Sequence, residues 1–342
     1  MSFKRFDPDD FLVSAEGITA GAWSNNASTL DSTDFFEDTI QQSSDSGKYY
    51  FSVYNSDDAN TKEVQFNIAY GNSVGSGSKY FNANIPGKSP TAAVYGQFQN
   101  IVLGDEDTDF KFGTVTKNDF YAITVERARF KGSMLPGTNT LILGNEDGDA
   151  LLTLTDNSKV ATALTFNEAG RVFQLVSGSN GEINTGLDSN GYHQHSGSYG
   201  LFLPDIGTYI LNAAALDGSV AGGGIALGTN RSPNTAASNP SKLFTAISGG
   251  GDFTLNSQEN LTSDFVFVRA RNSEFNYSAN PSFASGSVGD VTFTEFINQP
   301  QTFITSVGLY NDENELLATA KLSTPLKKDF TKEALIRIKL DF

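Results

Sequence analysis

Apolar and polar positions alternate along much of this chain, and a period of two predicts strands. The clearest run starts after Glu63: Val64, Phe66, Ile68 and Tyr70 would face one way and mostly polar residues the other. Further strands are expected over 98–103, 110–115, 120–127, 140–143, 150–155 and 172–176, divided by acidic turns at 104–109 and 144–149. Strands return over 264–271, in a hairpin of 303–310 and 315–322 around Asn311-Asp-Glu-Asn314, and over 334–342. In that last run Ile336, Ile338, Leu340 and Phe342 alternate with Arg337, Lys339 and Asp341. An apolar face continuing to Phe342 predicts a strand embedded in a sheet.

Three stretches read as short helices instead. The first, 33–42, opens at Asp31 and Ser32 and carries Phe35, Phe36 and Ile40 on one side. The second, 204–216, has Pro204 at its first position and Gly218 just past its end. The third, 241–247, follows Asn239-Pro240 and is stopped by Gly249-Gly-Gly251. The organisation these elements predict is a β-rich N-terminal region over 1–195, a mixed connector over 196–260 and a C-terminal β domain over 261–342. The expected class is mainly β, with two or three compact sandwich-like domains and a few short helices.

Composition agrees. The 27 Phe and 12 Tyr against 1 Trp and 2 Met suit pleated faces, and 33 Gly supply turns. The formal charge of −16 would repel nucleic acid and anionic lipid, so neither is expected as a partner. The charge is uneven: the stretch from Lys321 holds six cations (Lys321, Lys327, Lys328, Lys332, Arg337, Lys339) against three acids (Asp329, Glu333, Asp341). A basic end on an acidic body fits docking against another copy or an acidic neighbour, with Lys327, Lys328, Arg337 and Lys339 as contacts. It fits equally a basic edge strand that discourages mispairing. With no cysteine, neither disulfides nor thiolate metal sites form. The first residues lack an apolar stretch of signal-peptide length, and no run is long enough for a membrane helix, so synthesis in a cytoplasm is expected.

The chemistry-bearing motifs are sparse. No complete phosphate loop is present, since Gly87-Lys-Ser89 has Asn82 where the motif's first Gly is required, and no Gly-x-Ser-x-Gly elbow is read between a strand and a helix, since Gly71-Asn-Ser-Val-Gly75 falls in the flexible loop 71–78. The carboxylates fall mostly in turns, and only two histidines are present. No catalytic residue, cofactor or small-molecule substrate is expected. His193 and His195 would share one face of an extended segment, and three copies on a threefold axis would offer six imidazole nitrogens to a transition metal. A polar loop between Gly191 and Gly197 is the plainer alternative. Asp105, Asp107 and Asp109 begin like a calcium loop, but Phe110 and Thr116 stand where Gly and Glu are required. A looser oxygen site over 145–149 stays open beside plain solvated turns. Arg127, Arg129, Arg269 and Arg271 would alternate on strands, either meeting a neighbour's carboxylates or facing solvent.

Phe265-Val-Phe-Val-Arg-Ala-Arg271 with the residues to Phe283, and Thr305-Ser-Val-Gly-Leu-Tyr310 with those to Ser323, resemble virion proteins of contractile-tailed phages, particularly those of marine cyanobacteria. The stretch from Tyr95 to Asp105 and on through Arg127-Ala-Arg-Phe-Lys131 is similar to the same group. The resemblance implies a virion structural subunit, plausibly of the tail or baseplate, whose partners are further copies and other virion proteins. Receptor-binding fibre or spike and outer head decoration are the alternatives. It implies no catalytic residue.

Overall fold

The computed structural model describes residues 4–38, 50–78, 84, 89–233, 238–278, 280–285 and 289–341. The longer elements begin with β1 (Phe11–Gly21), β2 (Tyr50–Tyr54), β3 (Val64–Asn72) and α1 (Pro90–Leu103). There follow β4 (Asp119–Val125), β5 (Thr140–Gly144), β6 (Ala150–Asp156), β7 (Gly170–Ser179), β8 (Gly200–Leu203) and β9 (Thr208–Asn212). The remainder are α2 (Ala213–Leu216), α3 (Asn239–Gly250), β10 (Asn256–Ala270), β11 (Gln301–Tyr310), β12 (Leu316–Asp329) and β13 (Ala334–Asp341). The protein is mainly β, as its patterning predicts. Two compact units divide the chain: 18–259, and 1–17 together with 260–342. The sequence reading had placed 1–17 with the residues that follow them.

In the larger unit one antiparallel sheet runs from Thr29–Leu30 and Phe253–Thr254 through β5, β6, β7, β8, β9, β4, β3 and β2 to Phe36–Asp38. α3 packs against both β5 and β3, which lie far apart in that order, so the sheet curls around the helix. Gly249 and Gly250 permit this approach: a Cβ on either would stand 2.0–2.1 Å from the carbonyl oxygens of Asn145 and Ile142. Both sheet faces are covered. Tyr121, Ile123, Tyr209 and Leu211 join a core that includes Trp23, Phe66, Leu243 and Ile247. Their neighbours Phe120, Ala122 and Ile210 point the other way, into a second core with Tyr95, Val102 and Phe110.

Double coverage explains two differences from the sequence reading. The stretch 204–216, expected as a helix, is the strand β9 between β8 and β4, followed by only one helical turn, α2. All five residues of β9 are buried, and a continuous apolar run does not reveal its period. Conversely, 98–103, expected as a strand, ends the helix α1. Thr91, Tyr95, Gln99 and Val102 form its buried stripe, Pro90 starts it, and Gly104 ends it in the left-handed region at φ 75°. Over 110–115 the expected single strand folds back at Gly113 into a small hairpin. Within the helix expected over 33–42, Phe36–Asp38 is a strand paired with β2, and 39–42 lie outside the described residues. The third helix, α3, is present and longer than expected.

The smaller unit contains most of β1 and β10 and all of β13 in one sheet, with β10 in the middle, and the β11–β12 hairpin. β13 pairs with β10 from Ser263↔Asp341 to Ala270↔Ala334. One face of that pair (Val266, Val268, Ile336, Ile338) packs on Val307, Leu309, Ala318 and Ala320 of the hairpin. The result is a two-layer β unit with a thin core: among the described residues its buried apolar cluster is Val266, Leu309 and Ile338.

Candidate assembly surface

Two adjacent strands of the smaller unit present their second face outward. On β10 that face carries Phe265, Phe267 and Arg269; on β13 it carries Leu335, Arg337 and Lys339, each opposite its partner in the ladder. Leu335 is 60% exposed, and the Arg337 guanidinium lies 5.3 Å from the centre of the Phe265 ring. Arg337 and Lys339 thus sit on a solvent-facing sheet surface, as the alternation predicts. Lys327 is exposed as well, opposite the exposed Phe303 in the hairpin ladder.

Lys328 differs. It is wholly buried, and its ammonium donates to the Asn272 carbonyl (3.1 Å), Asn276 Oδ1 (2.9 Å) and the Asp329 carbonyl (2.9 Å). Expected as an assembly contact, it is instead an internal tie. The two adjacent lysines point to opposite sides because successive strand residues do. The tie anchors the loop after β10. There Asn276 Nδ2 donates to the Asn272 carbonyl, Thr302 Oγ1 donates to the Phe275 carbonyl, and Glu274 accepts from the Arg271 N–H and from Lys4. The Arg271 N–H and the Lys4 ammonium hold the Glu274 carboxyl below its ordinary range, against a smaller opposing effect of burial. So constrained, Phe275 takes φ 54°, a left-handed conformation costly for a bulky residue, and Tyr277 projects with 73% of its surface exposed.

The strand β1 was not foreseen. Nine of its eleven residues are exposed, including Phe11 (52%), Leu12 (54%) and Val13 (67%), so neither of its faces is covered. It ends the strand order of its sheet on one side as β13 does on the other. The unbroken triplet Phe11-Leu-Val13 hid it, because a half-buried strand would alternate. Phe293 and Ile297 add further exposed apolar surface, beside Phe296, whose ring stacks on that of Phe283 at 4.7 Å.

The histidines are not arranged as the metal proposal requires. Gly197, at φ 81°, bends the segment so that the His193 N–H meets the Gly197 carbonyl at 2.8 Å. His193 is buried beside Tyr199 and Gly218, while His195 is exposed with its ring centre 6.3 Å away. A shared outward face is therefore absent. His193 Nε2 has no hydrogen-bond partner, and burial, then the nearby charges of His195 and Lys117, lower its pKa.

The acidic turns serve their own loops. Asp105 accepts from the N–H groups of Asp107 and Thr108, Tyr95 OH donates to Asp109, and Asn145 Oδ1 accepts from the N–H groups of Asp147 and Asp149. Among the described residues no three His, Asp or Glu side chains gather in a way that would hold a metal ion. Arg127 and Arg129, expected on a strand, form a 3-10 turn past β4. Arg129 pairs with Glu63 at 2.7 Å within the chain, so it is not an outward partner for a neighbour's acid. A further network lies in the larger unit: buried Asp119 takes Arg231 Nε at 2.6 Å and Tyr70 OH at 3.1 Å, and Arg231 also pairs with Asp217 at 2.6 Å. It ties the 217–233 loop to β3 and β4, with the single guanidinium of Arg231 bridging both carboxylates.

Comparison with protein-family models, curated proteins and solved structures finds no match for this chain.

Proposed function

We propose that this chain is a non-enzymatic structural subunit of a larger particle, built to associate through its smaller unit. One observation carries this reading. The smaller unit holds under a third of the residues but, among the described residues, more than half of the large apolar side chains exposed at the surface, against a buried apolar cluster of three. Apolar surface left in water at this density marks an interaction site. The particle that best fits the sequence resemblance is the tail or baseplate of a contractile-tailed phage, which makes the virion the destination. The fibre alternative loses its metal clip, because His193 is turned inward.

The test is association first and location second. Sedimentation of the purified chain at micromolar concentration should give a species heavier than the 36.7 kDa monomer. Phage particles banded in a density gradient should retain the chain through a high-salt wash. A chain that stays monomeric, or stays behind in the soluble lysate, refutes the reading. Point variants on the exposed strands are better probes than deletion of 324–342, which would remove Lys328 and β13 and so dismantle the unit itself.

A further inference from the structure

We infer that the smaller unit joins copies head to tail, with β1 of one chain pairing along the outer edge of β13 of the next, so that one sheet continues through successive copies. This rests on the assembly reading above and names the partner: a second copy, through two different edges. The strand order β1–β10–β13 leaves two edges of one sheet facing outward among the described residues. An exposed strand edge is a template for another strand, and natural edges are usually blunted by lysine, proline or a bulge. β1 has none of these safeguards: Phe11 to Gly21 contains no lysine, no proline and one charge, Glu16. An edge so long, apolar and unprotected is expected to be covered.

Charge selects which edge covers it. From Asp7 to Gly21 the chain carries four carboxylates (Asp7, Asp9, Asp10, Glu16) and no cation. β13 carries Arg337 and Lys339 against Asp341. Pairing β1 with β1 about a twofold axis would set acid beside acid, and pairing β13 with β13 would crowd its cations, whereas β1 on β13 sets opposite charges together. Such exposed pairs add little affinity but bias the choice of partner. The resulting contact uses different patches on the two copies, and therefore closes into a ring or continues as a filament.

The chain has no cysteine, which makes the arrangement directly readable. Val13→Cys and Leu335→Cys place single thiols on exposed positions of β1 and β13. With a short bis-maleimide, a mixture of the two differently tagged variants should yield mainly the mixed dimer, and the double variant a ladder of oligomers. Val13→Cys alone cross-linking to itself overturns the inference in favour of a twofold contact. Yields no higher than those from an Asp147→Cys control on an exposed turn of the larger unit overturn it as well. Arg337→Glu should reduce the mixed product several-fold, and Glu16→Lys in the partner should restore it; loss without rescue counts against the pairing. A chain that sediments as an oligomer but gives no mixed product refutes this interface and leaves the assembly reading standing. One that is monomeric throughout removes both.

Discussion

Replacing Lys328 by methionine keeps most of the side chain's length and removes only the charge and its three hydrogen bonds. A bond to a charged group contributes about 1.5–3 kcal/mol, but the three losses do not add. The Asn272 carbonyl keeps the Asn276 amide as a donor, and removing the ammonium also removes the cost of burying it. A net loss of about 2–3 kcal/mol is therefore expected. For a cooperative unit of about a hundred residues, that corresponds to a fall of roughly 10–20 °C in melting temperature. Calorimetry should show the drop, and hydrogen exchange should show the 272–277 amides losing protection first, because Phe275 keeps its left-handed conformation only while the loop is held. Lys328→Arg should not rescue, since a wider guanidinium must enter a site with no exposure. A methionine variant that melts with the wild type, with the loop's exchange unchanged, would refute the tie.

Four further outcomes follow from the larger unit. Asp119→Asn leaves Arg231 without its buried partner and should destabilise by about 3 kcal/mol, measured by urea unfolding. Gly250→Ala would drive a Cβ to 2.1 Å from the Ile142 carbonyl and should cost about 1–3 kcal/mol by pushing α3 off β5, seen as a lower melting temperature. Two groups set pH limits. The folded-state pKa of His193 is lowered, so its contribution is complete above the ordinary 6.5 and declines as pH falls below it; His193→Gln should flatten the stability profile there. Burial raises Tyr70, Tyr121 and Tyr209 far above the ordinary 10.0 and pushes Tyr199 up to about 12, so stability should fall as pH rises past 10. A 295 nm titration should find these phenols ionising only as the protein unfolds.

The sequence made some strands legible because apolar and more polar residues alternate along them with a period of two: Val64 to Tyr70 and Ile336 to Leu340 show it plainly. It concealed elements covered on both faces or on neither. β9 is buried throughout, since Tyr209 and Ile210 enter different cores, and β1 is exposed along most of its length. α1 did carry its signals in Pro90, Gly104 and the 91, 95, 99, 102 stripe, but Phe98 to Leu103 read alone favours a strand. The charged end was visible as composition. That Lys328 turns inward and Lys327 outward depends on which face of β12 meets the loop after β10, and that is a tertiary fact.

The place of β10 in the middle of its sheet has a kinetic consequence. β1 leaves the ribosome early, yet the strand beside it is not made until the whole of 18–259 has been synthesised. At about 5–20 residues per second this delay lasts on the order of tens of seconds. Throughout it the larger unit is free to fold while Phe11, Leu12 and Val13 wait unpaired, which makes this strand the point where a chaperone would gain most. The delay also acts as a clock, because a nascent chain has no finished β1–β10 edge to offer and joins its neighbours only after its own sheet has formed.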